Sequence, residues 1–331
     1  MRVLVLGAGA VGSYFGGRLA QAEAAEEVAF LVRPGRKAQL DRDGLVIESP
    51  SAGDFRGPVP TLLAEELGAG WDVVLLTCKA YDLDAAIAAI RPAVDTRTAV
   101  LPLLNGMSHL DTLEAAFGPG RVLGGVAGVQ ATLTPEGVVR HLAPLAFVKF
   151  GELDGQVSER VLALKAVFEH TPVDAEATSD IRGAMWEKLV FLGTLAAATV
   201  LMRANLGEIA RSVGGAAWLE RLLDRNAAIA EAQGHAVRPK VLAGFRSFLR
   251  ENPASTASML RDLEAGGRIE ADHILGFLLE AARRAGVADE LHETAWLHAK
   301  AYEARREAGR LPGPLSGWRS VSALRGSGVD A

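Results

Sequence analysis

Apolar residues follow two patterns along the chain. In the first half they form short runs that end abruptly at glycine or polar residues, at 3–6, 27–32, 71–77 and 99–104. Apolar runs of about 4 to 8 residues bounded by turn formers predict buried strands. Between the first two runs, residues 10–21 carry apolar positions at helical spacing, and residues 82–90 do so after the third. Strands alternating with helices predict a parallel sheet covered on both faces. Residues 45–48 and the Pro- and Gly-rich segment to Pro60 predict a short hairpin or loop inserted in that sheet. Residues 121–129 and 137–150, on either side of the turn Thr134-Pro-Glu-Gly137, predict its antiparallel extension.

From Ser158 onward the period becomes helical, at 161–170, 180–202, 215–233, 240–250, 255–264, 271–285 and 291–306, with residues 172–179 as a connection. The expected fold is therefore an α/β N-terminal domain of Rossmann type, residues 1–178, followed by an all-α C-terminal domain, residues 179–310. Residues 311–331 are rich in Gly, Ser and Pro and predict a flexible tail.

The first strand passes into the first helix through Gly7-Ala8-Gly9-Ala10-Val11-Gly12. In a strand–turn–helix setting each glycine has its own task. Gly7 permits the tight turn, Gly9 lets the backbone approach a pyrophosphate, and Gly12 lets the helix lie close on the strand. The helix N-terminus adds unpaired N–H groups and a positive dipole end. The six residues together predict a dinucleotide site. An NAD-selective site usually places a carboxylate about 20 residues further on, to accept from the ribose 2′-hydroxyl. This chain has Arg33 at the end of the second run. A guanidinium there fits a 2′-phosphate, which favours NADPH over NADH. Arg36 and Lys37 read equally as a solvated basic loop.

Composition narrows the alternatives. The 331 residues are 49% hydrophobic and 23% charged, enough apolar material for a large core in two domains. A net charge of -5 gives no electrostatic footprint for nucleic acid. The single cysteine, Cys78, excludes an internal disulfide and a cysteine-based zinc site, and no metal is expected. The most hydrophobic run, 189–202, falls short of the roughly 18 to 20 residues of a membrane span and predicts a buried helix. With a strand at the very N-terminus in place of a signal peptide, a cytoplasmic location is expected. The partner expected is a small molecule, with neither nucleic acid nor membrane, and the long apolar helices of the second half are compatible with a homodimer.

Several polar residues stand where chemistry could occur. Lys79 and Asn105 follow the third and fourth strands, at the carboxyl edge where open α/β sheets bind ligands. Lys79 also reads as a surface lysine, and Asn105 as a turn former. Lys188 opens a nearly apolar helix, with Leu192 and Ala196 one and two turns on. Burial would lower its pKa and suit it to give up a proton; the alternative is a lysine that snorkels to water. Ser258 and Glu270 sit in short helical segments, where solvent exposure and the helix dipole account for them equally well.

Taken together, Gly7-x-Gly9-x-x-Gly12, Arg33, Cys-Lys79-Ala-Tyr, Asn105-Gly-Met, Trp186-x-Lys188-Leu and Ser258-Met-Leu-x-Asp262 followed by Glu270-x-Asp272 resemble the ketopantoate reductase family. The resemblance runs from the glycine motif to about Gly286. It implies an NADPH-dependent 2-dehydropantoate 2-reductase of pantothenate biosynthesis, with its site in the cleft between a Rossmann and a helical domain. It implies that Lys188 is the general acid, that Glu270 lines the same site and positions substrate and cofactor, and that Ser258 meets the substrate carboxylate. Asn105 and Lys79 would stand near the nicotinamide ribose and substrate, and Arg33 would read the 2′-phosphate.

Two positions depart from the family. It usually carries asparagines one and two turns after the lysine, where they bind the hydroxyls of ketopantoate; here Leu192 and Ala196 line that part of the substrate site. A site lined by Leu and Ala cannot select a hydroxyl by hydrogen bonding. A less hydroxylated 2-oxo acid, or another carbonyl or imine, is thus the alternative substrate. A dinucleotide sensor without turnover is the reading from a different class, and Lys188 with Glu270 argues against it.

Overall fold

Successive residues of a strand face opposite sides of its sheet, and the first strand shows this directly. Val3 and Val5 join a buried cluster with Tyr14, Phe15 and Leu19 of the following helix, whereas Leu4 joins a different cluster with Val74, Ile90 and Leu110. The computed structural model describes residues 1–311. Ten strands occur among them: β1 (Arg2–Leu6), β2 (Glu27–Leu31), β3 (Leu45–Glu48), β4 (Phe55–Gly57), β5 (Thr61–Leu62), β6 (Val73–Leu76), β7 (Ala99–Pro102), β8 (Leu123–Leu133), β9 (Val138–Glu152) and β10 (Asp174–Ala177).

One sheet has the order β5-β2-β1-β6-β7 with every pair parallel. Chain direction across the sheet reverses between β1 and β6, and ligands bind such sheets in the crevice beyond the carboxyl ends at that point. The glycine loop follows β1 and Lys79 follows β6, so both border this crevice.

The antiparallel segments differ from expectation. β8 and β9 do pair, but they build a second sheet with β3, β4 and β10 in the order β10-β9-β3-β4, linked to the first sheet by an isolated bridge between Val100 and Val122 and by side-chain packing of β8 on β7. The β3–β4 hairpin belongs to this second sheet, not the first. The segment read as a connection contains β10, parallel to β9. Helices at Pro34–Asp43, His109–Phe117 and Leu206–Arg211 complete the picture.

Beyond β10 the described chain is helical. The helix Ile181–Met202 begins at Asp180, whose side chain accepts from the Gly183 N–H at 3.1 Å. By length and composition alone it could cross a membrane, with a mean hydropathy of 1.4, but 72% of that window is buried inside the protein, as in a core helix. One buried cluster passes continuously from Leu4, Val74 and Ile90 to Met185, Leu189, Leu278 and Ala295, so the two halves share a core across the expected boundary. The expected tail, apart from Leu311, lies outside the described residues.

Candidate active site

The glycine loop is shaped as a phosphate cradle. Gly7 has a φ of +94°, a conformation that L side chains rarely adopt. A Cβ on Gly12 would collide with the Gly7 carbonyl and the Thr77 hydroxyl. A Cβ on Gly9 would meet nothing within 4 Å. The helix Ala10–Ala22 has Gly9 at its N-cap and no side-chain cap. Open space at Gly9 beside uncapped N–H groups fits a dinucleotide pyrophosphate. Arg36, one of the two residues read as a basic loop, instead lies in the helix Pro34–Asp43, and its Nε donates to the Ala8 carbonyl at 3.1 Å. It ties the second helix to the loop. Arg33 stands at the N-cap of the same helix with its side chain 84% exposed.

Across the crevice the two halves of the chain are bridged by charge. Lys79 Nζ lies 2.8 Å from Asp262 Oδ2 and 3.4 Å from Glu270 Oε2, while the other Glu270 oxygen accepts the Ala80 N–H at 3.0 Å. Burial disfavours the charge on Lys79, but Glu270 and Asp262 outweigh it and hold the pKa above the ordinary lysine value. The Glu270 side chain is only 7% exposed. Asp262, to which the sequence pattern assigns no role, is thus the closer partner of Lys79.

Lys188 is half-buried on the helix Ile181–Met202, and its Nζ donates to the Ala127 carbonyl of β8 at 2.7 Å. Burial of the ammonium pushes its pKa down to about 8, with the Glu270 carboxylate opposing part of that shift. Such a group is charged at neutral pH and close to releasing its proton. The long reach of lysine lets one side chain link the helical half to the second sheet.

Two histidines pair next to Gly106, the residue after Asn105. Gly106 has a φ of +85°, and a Cβ there would lie 2.9 Å from His273. His273 pairs through Nδ1 with Ser108 Oγ at 2.6 Å and through Nε2 with His109 Nδ1 at 3.1 Å. His273 lies in a single π-helical turn, Asp272–Gly276, a feature often found at functional sites. Burial, followed by His273 and Lys188, pushes the pKa of His109 down to about 3, so the ring is neutral. Sequence gave no sign of this pair, because neither histidine has a motif and residue 109 is far from 273 along the chain.

The remaining sequence candidates separate here. Asn105 is half-buried beside Gly106, and Leu192 is half-buried one turn beyond Lys188. Ser258 is exposed at the first position of the helix Ser258–Glu264. Ala196 is 2% exposed and lies in the core cluster two turns beyond Lys188. A cavity of about 410 Å³ opens between the halves, lined by Tyr81, Ser108, Arg268, Glu270, His273 and Lys300 among others. Lys188 and Asn105 are absent from that lining. Among the described residues there is no His, Cys, Asp and Glu group able to hold a metal ion.

A parallel sheet with a glycine phosphate turn at its switch point, joined to a helical half that supplies a perturbed lysine, defines a dinucleotide-binding oxidoreductase. The chain belongs to the ketopantoate reductase PanE/ApbA family: the family model matches residues 3–155, and its C-terminal counterpart matches residues 180–303. It is an oxidoreductase acting on a CH–OH group. Among curated relatives, an uncharacterized oxidoreductase of Bacillus subtilis, YkpB, is 34% identical over 92% of this chain and all of its own length. A 2-dehydropantoate 2-reductase of Halobacterium salinarum is 30% identical over 86% of this chain and 92% of its own. The crystal structure of 2-dehydropantoate 2-reductase from Methylococcus capsulatus superposes with a TM-score of 0.82 at 29% identity, covering 92% of this chain and 98% of that one.

Proposed function

We propose that the protein reduces a 2-oxo acid to the 2-hydroxy acid with NADPH, with 2-dehydropantoate as the first candidate substrate. The observation that carries the reading is Lys188, a half-buried ammonium held by the Ala127 carbonyl at 2.7 Å, where burial lowers its pKa and the Glu270 carboxylate opposes part of that shift. A bound reduced nicotinamide dinucleotide supplies the hydride. The Lys188 ammonium has three N–H donors. One is held by the Ala127 carbonyl. The others are available to a substrate carbonyl oxygen, where they stabilise developing negative charge and deliver the proton. Glu270 and Lys79 set the cleft wall, Asn105 and Ser258 position the substrate, and the loop from Gly7 to Gly12 holds the pyrophosphate. Arg33 supports the preference for the 2′-phosphorylated cofactor.

A second reading concerns the substrate alone. Leu192 and Ala196 provide no hydrogen-bonding group one and two turns beyond Lys188, which favours a 2-oxo acid with fewer hydroxyls. A panel of 2-oxo acids assayed by NADPH oxidation decides between them. Ketopantoate leads in kcat/KM under the first reading, and an unhydroxylated 2-oxo acid of similar size leads under the second. Oxidation of NADPH with none of the panel would sink both.

A further inference from the structure

Two arginines from opposite halves of the chain meet on one carboxylate. Arg33 Nη2 lies 3.4 Å from Asp82 Oδ2, and Arg268 Nη1 lies 3.1 Å from Asp82 Oδ1. Arg268 is fixed in that position twice more: Nη2 donates to the Tyr81 carbonyl at 3.2 Å, and the guanidinium stacks over the Tyr81 ring with its carbon 3.9 Å from the centroid. Arg33 has no comparable anchoring and projects into solvent at the strand end.

This arrangement poses an electrostatic problem. A carboxylate next to Arg33 occupies the guanidinium and repels an incoming phosphate. Asp82 alone would turn the region toward an unphosphorylated ribose, since a carboxylate accepts from a 2′-hydroxyl. Arg268 reverses the balance by adding a second positive charge from the helical half and engaging the other carboxylate oxygen.

We infer that Arg268 is a specificity-determining residue for the cofactor: by neutralising Asp82 across the domain boundary it releases Arg33 for the 2′-phosphate of NADPH. The inference rests on the NADPH reading above. It also links cofactor choice to the contact between the halves, because the neutralising charge arrives only with the helical half in place.

The test is equilibrium binding of NADPH and NADH, by fluorescence titration, to the full chain and to Arg268→Gln, Asp82→Asn and the double variant. All are first shown to share the wild-type melting temperature. Arg268→Gln is expected to weaken NADPH about tenfold and NADH less than about twofold, the size of a charge-assisted contact at a partly exposed site. Adding Asp82→Asn to Arg268→Gln is expected to restore NADPH binding, since the charge that needed neutralising is gone. A wild type that prefers NADPH while Arg268→Gln keeps the same preference overturns the inference alone. Equal losses for both dinucleotides, or no restoration in the double variant, also overturn it. A wild type with no preference for NADPH overturns the cofactor reading itself, and the inference falls with it.

Discussion

The Lys188 ammonium donates to the Ala127 carbonyl at 2.7 Å, joining the first helix of the C-terminal half to a strand of the second sheet. The bond fixes the position of a group whose pKa burial has lowered to about 8. A general acid acts in its protonated form, so activity is present below that pKa and lost above it. With saturating cofactor, kcat should fall tenfold per pH unit above about 8. A kcat that stays flat to pH 10 would remove Lys188 from the role of acid.

Gly9 and Gly12 should respond oppositely to the same added methyl group. At Gly12 the methyl strikes backbone and the Thr77 hydroxyl, so Gly12→Ala lowers the melting temperature. At Gly9 nothing lies within 4 Å, so Gly9→Ala leaves melting unchanged and fills space needed by a pyrophosphate. Calorimetry and dinucleotide titration on both variants check this; undiminished dinucleotide binding by Gly9→Ala would contradict the cradle.

The two carboxylates that meet Lys79 differ in exposure, and their removal should differ in cost. Glu270→Ala strands the Ala80 N–H and takes a buried charge from Lys79, a loss of about 1 to 3 kcal/mol. Asp262 is 36% exposed, and Asp262→Ala should cost no more than about 1 kcal/mol despite its shorter contact with Lys79. Urea denaturation of both variants measures the two values, and the reverse order would mean that solvent screening does not govern this bridge.

The helical half contains a buried chain in which His292 Nε2 pairs with Asn226 Oδ1 at 2.7 Å, and Asn226 Nδ2 donates to Thr194 Oγ1 at 2.8 Å. Burial, followed by Arg225, pushes the pKa of His292 down to about 4, below the unfolded value of 6.5. The unfolded chain therefore binds the proton first as pH falls. The stabilisation is complete above 6.5 and is lost progressively toward 4. Between pH 7 and 5 this site should contribute about 2 kcal/mol of acid destabilisation. His292→Gln should show a correspondingly shallower loss in urea denaturation at the two pH values; an identical loss would assign the effect elsewhere.

The features legible in sequence are those set by neighbours along the chain. The strand, glycine turn and helix from Arg2 to Ala22 fall within one short segment, and the apolar period of Ile181–Met202 marks Lys188 as unusual. The separate second sheet was not legible, because the β3–β4 hairpin joins it only where β3 pairs with β9, far away along the chain, and β10 runs parallel to β9. The helix Pro34–Asp43 was hidden by its polar composition, although proline at its start was a usable signal. Leu206–Arg211 carried another in the capping box of Asn205 and Glu208. The carbonyl that holds Lys188, the paired histidines next to Gly106, and the convergence of Arg33 and Arg268 on Asp82 exist only after folding. Periodicity has no means of reporting them.

The proposed proton transfer by Lys188 is tested by turnover of Lys188→Ala with the best substrate of the 2-oxo acid panel at saturating NADPH. The expected result is a kcat lowered about a hundredfold or more, the usual scale of a lost general acid, with the dissociation constant for NADPH within about threefold of wild type. A variant that binds NADPH normally and turns over at a near wild-type kcat would contradict it.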